Sequence, residues 1–226
     1  MSDEPLADAA PDRGRLRTGA NEPTFHRALK AVATALDGAE VPHLFIGGLA
    51  SMVHGRTSWT HDLDVMVAPR DQPAALEALV GSGFDVLASP ASWLSKVAWE
   101  DVVVDVIHAA AGPIFLDAEM LERSIVQTVW DTEVRVIGPE DLVVTKAVAH
   151  DEETPHYWWD ALAVLAAREV DWDYLVFRAR RGPRRVLSLL LYAQSSDLAV
   201  PDTAIRRLLA LVMPDASSPD PEGTDD

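Results

Sequence analysis

The sequence predicts an α/β protein of the α+β type, in which a small mixed β-sheet flanked by helices is followed by a C-terminal bundle of α-helices. Short apolar and β-branched runs alternate with helical patterns through the first half of the chain, and VVVDVI at 102–107 is the most pronounced of them. From Gly138 onward the hydrophobic period is that of helices alone.

Composition divides the chain into two ordered segments and two tails. Both ends are rich in Pro, Asp, Ser and Gly, residues that bury too little apolar surface to fold. The predicted limits are 1–23 for a disordered acidic tail, 24–137 for the sheet-containing core, 138–213 for the helical C-terminal domain and 214–226 for a second disordered acidic tail.

Strand and helix patterns alternate in the first ordered segment. An amphipathic helix is predicted over 25–36, with Thr24 as its N-cap, and another over 72–80. The small-residue stretch LASMVHG, which follows Gly47-Gly48, is also compatible with a helix. Apolar and β-branched content predicts strands at 43–46, 62–67, 84–87, 94–99, 102–107 and 133–137.

Helix start signals define the second ordered segment. The run Gly138-Pro139-Glu140-Asp141 places a proline at the first helical position and acids in the first turn, and Thr154-Pro155 opens a second helix. Further helical segments are predicted at 172–181, 184–193 and 202–213.

The composition excludes several classes of protein. The chain has 226 residues, of which 48% are hydrophobic and 24% charged. It is long enough to form a hydrophobic core without stabilising disulfide bonds or structural metal ions. It has no cysteine, which excludes disulfides, thiolate metal sites and cysteine nucleophiles. No apolar run approaches the length of a membrane span, and the polar N-terminus lacks an apolar signal region, so we expect a cytoplasmic protein without a membrane partner.

The net charge of −17 argues against indiscriminate binding of nucleic acid, and no DNA partner is expected. A basic cluster nevertheless lies within this acidic chain. We interpret it either as a solvated helix end or as a patch that docks an RNA backbone. It consists of Arg178, Arg180, Arg181, Arg184 and Arg185.

Two carboxylates carry the most informative chemistry. Asp62 and Asp64 are two residues apart on a predicted strand, so their side chains lie on one face. Hard oxygen ligands at this spacing suit Mg²⁺ or Mn²⁺. Asp105 is a third carboxylate, inside an otherwise apolar strand, where an acid is costly unless it has a partner or a metal.

A glycine pair precedes these carboxylates. Gly47-Gly48 lies at a predicted strand-to-helix turn, where backbone N–H groups can accept a phosphate anion. A phosphate-binding turn with three carboxylates is what phosphoryl or nucleotidyl transfer with divalent cations needs. One cation holds the triphosphate and a second activates the attacking hydroxyl, with Asp105 placed to bind it or to take its proton.

The stretch from residue 45 to residue 67 resembles the polymerase-β-type nucleotidyltransferases. It is most similar to the abortive-infection (AbiEii-like) and toxin–antitoxin branch, whose members carry the pattern GG…HG…R.T.DLD…V followed by a PEDL…K helix and a later helical Asp. The matching positions are Gly47, Gly48, His54, Gly55, Arg56, Thr60, Asp62, Leu63, Asp64, Val67, Pro139, Glu140, Asp141, Leu142, Lys146 and Asp160. Segment 24–137 is by this resemblance the nucleotidyltransferase core.

The resemblance implies a role for each matched polar position. Asp62 and Asp64 bind metal, and Asp105 completes the metal site and acts in catalysis. The nucleotide-binding residues are Gly47, Gly48, Arg56 and Thr60. Lys146 neutralises phosphate charge, although it could instead snorkel from a core helix, and Asp160 positions Lys146 or the acceptor. His54 is expected to be structural.

The predicted activity moves a nucleoside monophosphate from an NTP to an acceptor hydroxyl, with Mg²⁺ or Mn²⁺ as cofactor. The resemblance favours an RNA acceptor, such as a tRNA 3′ end, or a protein, in a toxin–antitoxin-like role with a cognate antitoxin. The alternatives are a small-molecule acceptor of the aminoglycoside or lincosamide type, and a catalytically degenerate binding module. The last is left open by His61 and Trp159, which stand where relatives often carry basic residues.

Overall fold

The computed structural model describes residues 22–88 and 91–214, and it confirms the predicted mixed fold. The strands of these ranges are β1 (His43–Phe45), β2 (Leu63–Val67), β3 (Asp85–Leu87), β4 (Leu94–Trp99), β5 (Val102–Ile107), β6 (Ile125–Val129) and β7 (Thr132–Val136). These seven strands of the described residues form one sheet in the order β3-β4-β5-β2-β1-β7-β6.

The centre of the sheet mixes parallel and antiparallel pairs. β2 runs parallel to β5 and antiparallel to β1, and β1 is parallel to β7. The hairpins β3–β4, β4–β5 and β6–β7 are antiparallel. Because β2 and β5 are parallel neighbours, residues far apart in sequence meet in one row across the sheet.

Helices flank the sheet and make up the C-terminal part of the described chain. In the first half, α1 contacts β7 and β5, and α3 contacts β5 and α1. In the second half, α5 packs against α6, α7 and α8. The helices are α1 (Glu22–Gly38), α2 (Gly47–Val53), α3 (Gln72–Gly81), α4 (Ala118–Glu122), α5 (Pro139–Ala149), α6 (His156–Ala167), α7 (Trp172–Arg178), α8 (Pro183–Ser195) and α9 (Asp202–Val212), with a 3₁₀ turn at Ala179–Arg181.

Some element predictions were wrong in detail. The first helix begins at Glu22, so Thr24 lies inside it and is not its N-cap. Helix α4 and strand β6 were not predicted. The side chains of β6 are half-buried or exposed and include Gln127 and Thr128, so the strand lacks the alternation that marks a half-buried strand.

One hydrophobic cluster joins the two ordered segments. It contains Leu44 and Val104 of the sheet together with Val144 of α5 and Leu190 of α8. The division at residue 137 stays a prediction. The two predicted disordered tails fall mostly on 1–21 and 215–226, which lie outside the described residues. Among the helices of the described ranges, none has the length and apolar character needed to cross a membrane.

Candidate active site

A row of polar side chains crosses the middle of the sheet. Asp64 of β2 is in register with Asp105 of β5, and Asp105 is in register with Lys96 of β4. The Lys96 ammonium donates to both carboxylate oxygens of Asp105, at 2.5 and 2.7 Å. The sheet therefore brings two of the three predicted acids together and places a cation at the end of the row.

The glycine bend lies directly against this row. Gly47 follows β1 with φ +61°, and a Cβ on it would come within 1.8 Å of Asp64 Oδ2. A Cβ on Gly48 would come within 2.2 Å of Thr60 Oγ1. The Gly48 N–H donates to the Asp64 carboxylate. A side chain at either position would collide with a polar neighbour. Glycine is therefore needed for Asp64 and Thr60 to lie this close to the bend.

We expect Gly47→Ala to destabilise the protein and to disturb Asp64, since the new methyl group meets the carboxylate and the positive φ disfavours a side chain. Gly81→Ala is the matched control, because nothing lies within 4 Å of a Cβ there. Urea unfolding should show a loss of more than about 1 kcal/mol for Gly47→Ala and no loss for the control. Equal stabilities for the two variants would contradict this packing.

Three acids concentrate negative charge at the bend. The Thr60 hydroxyl donates to Asp62 Oδ1 at 2.8 Å and thereby orients that side chain just before β2. Burial raises the pKa of Asp64 to about 7, and the charges of Asp62 and Asp105 contribute to the rise. Burial also raises the pKa of Asp105, against the opposing effect of Lys96. The cluster therefore carries negative charge that its own cations do not fully compensate.

A second cluster consists of Arg56, Lys146 and Asp160. Asp160 of α6 is 3% exposed and accepts from Lys146 Nζ at 2.9 Å and from Arg56 Nη1 at 3.0 Å. The Arg56 guanidinium also donates to the carbonyls of Ser58, at 3.0 Å, and Trp59, at 2.7 Å. Through these hydrogen bonds Arg56 connects helix α6 to the loop that contains Thr60 and Asp62.

Ser51 and Tyr157 connect the two clusters. The buried Ser51 hydroxyl lies 2.8 Å from Gly47 O and 3.4 Å from Asp160 Oδ2. Lys146 Nζ lies 4.3 Å from the centre of the Tyr157 ring, and its charge lowers the pKa of Asp64. Burial and the neighbouring acids raise the pKa of Tyr157 to about 12. Lys146 thus belongs to a polar network and does not snorkel to the surface.

The three carboxylates are not arranged as a ready metal cage. Within residues 22–88 and 91–214, no three His, Asp or Glu side chains are grouped so that they could hold an ion together. The donor set nevertheless fits a divalent ion, because Asp62 and Asp64 supply hard oxygens at the start of β2 and Asp105 lies in register with Asp64.

A cleft of about 670 Å³ opens beside the second cluster. One wall is the loop Gly55–Ser58, and the other is the face of α6 that carries His156, Trp159 and Asp160. The Trp159 side chain is 69% exposed. A bound molecule could therefore reach an aromatic face next to the ion-paired residues.

Comparison with known families identifies the chain. A family model described as "Uncharacterised nucleotidyltransferase" matches residues 15–195. The chain belongs to this family. The match confirms the predicted nucleotidyltransferase class, and it extends from the sheet-containing segment into α8 of the helical segment. No curated protein matches the sequence.

Solved structures of other nucleotidyltransferases share the fold. The antibiotic-resistance factor ANT(2'')-Ia is 18% identical, with a TM-score of 0.50 over 79% of this chain and 96% of that chain. An antigenic nucleotidyltransferase-like protein from Paracoccidioides brasiliensis is 12% identical, with a TM-score of 0.50 over 80% of this chain and 92% of that chain. At these identities the similarity concerns the fold.

Sequence reasoning missed Lys96, although a signal was available. Strands 94–99 and 102–107 were both predicted, and a turn at Glu100-Asp101 pairs Trp99 with Val102. When the two strands are paired residue by residue away from that turn, Lys96 lies opposite Asp105. No such local count finds Ser51, whose role depends on packing between α2 and α6.

The arginine cluster of the nucleotidyltransferase is not one surface patch. Arg178 is 8% exposed and forms ion pairs of 2.6 Å with Asp117 and Asp141. Arg185 donates to the carbonyl of His150, whereas Arg180 is exposed beside Phe177. Arg178 is thus neither solvated nor available to an RNA backbone, whereas the RNA-docking interpretation of the exposed arginines stays a prediction. His54, predicted to be structural, is buried with Nε2 2.7 Å from Ile137 O.

Proposed function

We propose that the protein transfers a nucleoside monophosphate from an NTP to an acceptor hydroxyl, with Mg²⁺ or Mn²⁺ held by Asp62 and Asp64. The observation that carries the proposal is the register of Asp64 with Asp105 across β2 and β5, with the Gly47-Gly48 bend packed against Asp64. A cation among these carboxylates would favour their ionised forms. When bound, the ion neutralises phosphate charge and positions the triphosphate.

Each cluster has its own role in this proposal. The acceptor oxygen forms a bond to the α-phosphorus, the bond to the pyrophosphate oxygen breaks, and the hydroxyl proton passes to Asp105. Burial raises the pKa of Asp105 above its ordinary value, and Lys96 opposes the rise. Gly47, Gly48 and Thr60 orient the nucleotide at the bend. Lys146 balances phosphate charge, and Asp160 holds Lys146 and Arg56 in place.

The acceptor that we propose is an RNA 3′ end, such as that of a tRNA, or a protein hydroxyl, in a toxin–antitoxin-like role with a cognate antitoxin in the cytoplasm. The motif pattern from Gly47 to Asp64 supports this branch. The cleft beside Asp160 supports an acceptor of some size, since Trp159 offers a face on which a base can stack.

Label transfer tests the proposal. The full chain is incubated with each of the four NTPs, labelled at the α-phosphate, with Mg²⁺ and with total tRNA or cell protein. We expect label from one NTP to appear in one acceptor class and to disappear with EDTA. Expression in cells should arrest growth if the protein is a toxin. Nucleotide binding without transfer to any acceptor would favour the degenerate binding module.

A small-molecule acceptor is the second candidate. Its specific support is the net charge of −17, which attracts a polycationic aminoglycoside, and the fold shared with ANT(2'')-Ia. In the same assay, aminoglycosides and lincosamides replace the tRNA. Label on an aminoglycoside, together with raised resistance and no growth arrest, would select this candidate over the first.

If the exposed arginines contact an RNA acceptor, Arg180→Ala combined with Arg184→Ala should weaken tRNA binding and reduce the slope of log affinity against log salt by about 2. Both side chains are exposed, so the fold should be unaffected. Arg70→Ala with Arg206→Ala is the matched control, since both are exposed arginines outside the cluster. Filter binding of tRNA at several salt concentrations measures the slope, and an unchanged slope would exclude this patch.

A further inference from the structure

Lys96 forms the closest charge contact of the carboxylate row. Its ammonium lies 2.5 and 2.7 Å from the two oxygens of Asp105, so both carboxylate oxygens face it. The side chains of the pair are 34% and 16% exposed. Solvent therefore screens this contact less than it screens an ordinary surface ion pair.

The backbone pairing of β4 with β5 brings Lys96 and Asp105 together, in addition to the conformations of the two side chains. Lys96 and Asp105 are directly opposed residues of the β4–β5 hairpin, in a sheet with Asp64 as the next neighbour of Asp105. Directly opposed residues hold their Cβ atoms roughly 5 Å apart. Strand pairing thus places the Lys96 side chain next to Asp105 in the sheet.

Asp105 is the acid of the row that has its own cation. The Lys96 ammonium contacts both of its carboxylate oxygens. The neighbouring cations Lys146 and Arg56 share the single carboxylate of Asp160. Asp62 and Asp64 therefore remain as the pair of acids that would hold a divalent ion.

We propose that Lys96 is a positioning residue that serves as a built-in cation, so that the active site takes a single divalent ion, held by Asp62 and Asp64. A lysine ammonium is a compact point charge, which suits this role. The inference rests on the proposed function, and it replaces the two-ion site that the sequence predicted.

Titration of the full chain with Mn²⁺ alone, followed by the electron paramagnetic resonance signal of free Mn²⁺, tests the inference. The wild-type chain should bind one ion. Lys96→Met should bind a second ion and hold the first about tenfold more tightly, because a neighbouring charge shifts an ionic equilibrium by about tenfold or more. Lys96→Arg keeps the charge and should bind one ion.

Lys30→Met is the matched control, since Lys30 forms an exposed pair with Asp131 outside the row. This variant should bind one ion with wild-type affinity. Circular dichroism verifies the fold of each variant, and two ions on the wild-type chain would overturn the inference even if Lys96→Met does not fold.

Two ions on the wild-type chain, together with label transfer, would overturn the role of Lys96 and leave the proposed function intact. One ion on a folded Lys96→Met chain would also overturn it. The absence of any bound Mn²⁺ on wild-type protein would overturn both proposals. One ion on the wild-type chain and two on Lys96→Met would support the inference even if the tested acceptors were not labelled.

Discussion

Asp64→Asn should abolish nucleotide transfer while leaving the protein folded. A bound metal ion contributes several kcal/mol of transition-state stabilisation in this chemistry, and each loss of about 1.4 kcal/mol lowers the rate tenfold. We therefore expect a decrease of at least about a thousandfold in label transfer. The asparagine oxygen can still accept from the Gly48 N–H, so the bend keeps its hydrogen bond.

The same substitution should stabilise the metal-free protein at high pH. The pKa of Asp64 is raised to about 7 in the folded chain, above its ordinary value of 3.8. A raised pKa gives a stabilising contribution that is complete at low pH and is lost as the pH rises through about 7. At pH 8 the buried, ionised Asp64 lowers the free energy of unfolding. Asp64→Asn removes this destabilising charge.

The control for Asp64→Asn is Asp85→Asn, an exposed aspartate of β3 at the edge of the same sheet. It should keep wild-type transfer activity. Thermal melts of metal-free protein at pH 5 and pH 8 measure the second effect: Tm should fall with pH in wild type and fall less in Asp64→Asn. A folded Asp64→Asn chain with wild-type transfer would contradict the proposed role of Asp64.

The sequence predicted the half of the site that depends on local geometry. Strand alternation predicted that Asp62 and Asp64 share one face. In the structure β2 begins at Leu63, so Asp62 lies just before the strand. Asp105 was identified as an unusual acid in an apolar strand, but its place beside Asp64 follows from the parallel pairing of β2 and β5, which joins residues 41 positions apart. Periodicity does not determine which strands become neighbours.

The second cluster shows what the sequence could not supply. The resemblance matched Lys146 and Asp160, and their contact is observed at 2.9 Å. It assigned Arg56 to the nucleotide, which stays a prediction, but it did not predict the contacts of the guanidinium with Asp160, Ser58 and Trp59. The direction of a long side chain depends on which carbonyls and carboxylates surround it in three dimensions, and this information is absent from spacing.

Asp160→Ala should be the most destabilising polar substitution at the site. It removes the shared partner of Lys146 and Arg56, whose side chains are 8% and 14% exposed. Breaking a buried ion pair by deleting one partner costs about 3–5 kcal/mol, because the remaining charge stays buried without compensation. Urea unfolding measures the change, and Asp160→Asn should recover part of it by accepting one hydrogen bond.

Asp173→Ala provides the comparison for this prediction. Asp173 of α7 pairs with Arg207 at the surface, where its side chain is 87% exposed. Solvent screens that pair, so its removal should leave the unfolding free energy nearly unchanged. Equal losses for Asp160→Ala and Asp173→Ala would show that the buried cluster gains no stability from Asp160.

The loss of Asp160 should also loosen the loop that carries Thr60 and Asp62. Arg56 holds the Ser58 and Trp59 carbonyls with the same guanidinium that Asp160 anchors, so without Asp160 the guanidinium can turn towards water. Trypsin should then cleave after Arg56 faster in Asp160→Ala than in wild type, as mass spectrometry of the fragments can show. Unchanged cleavage at Arg56 in a folded variant would mean that the two carbonyls alone keep the loop in place.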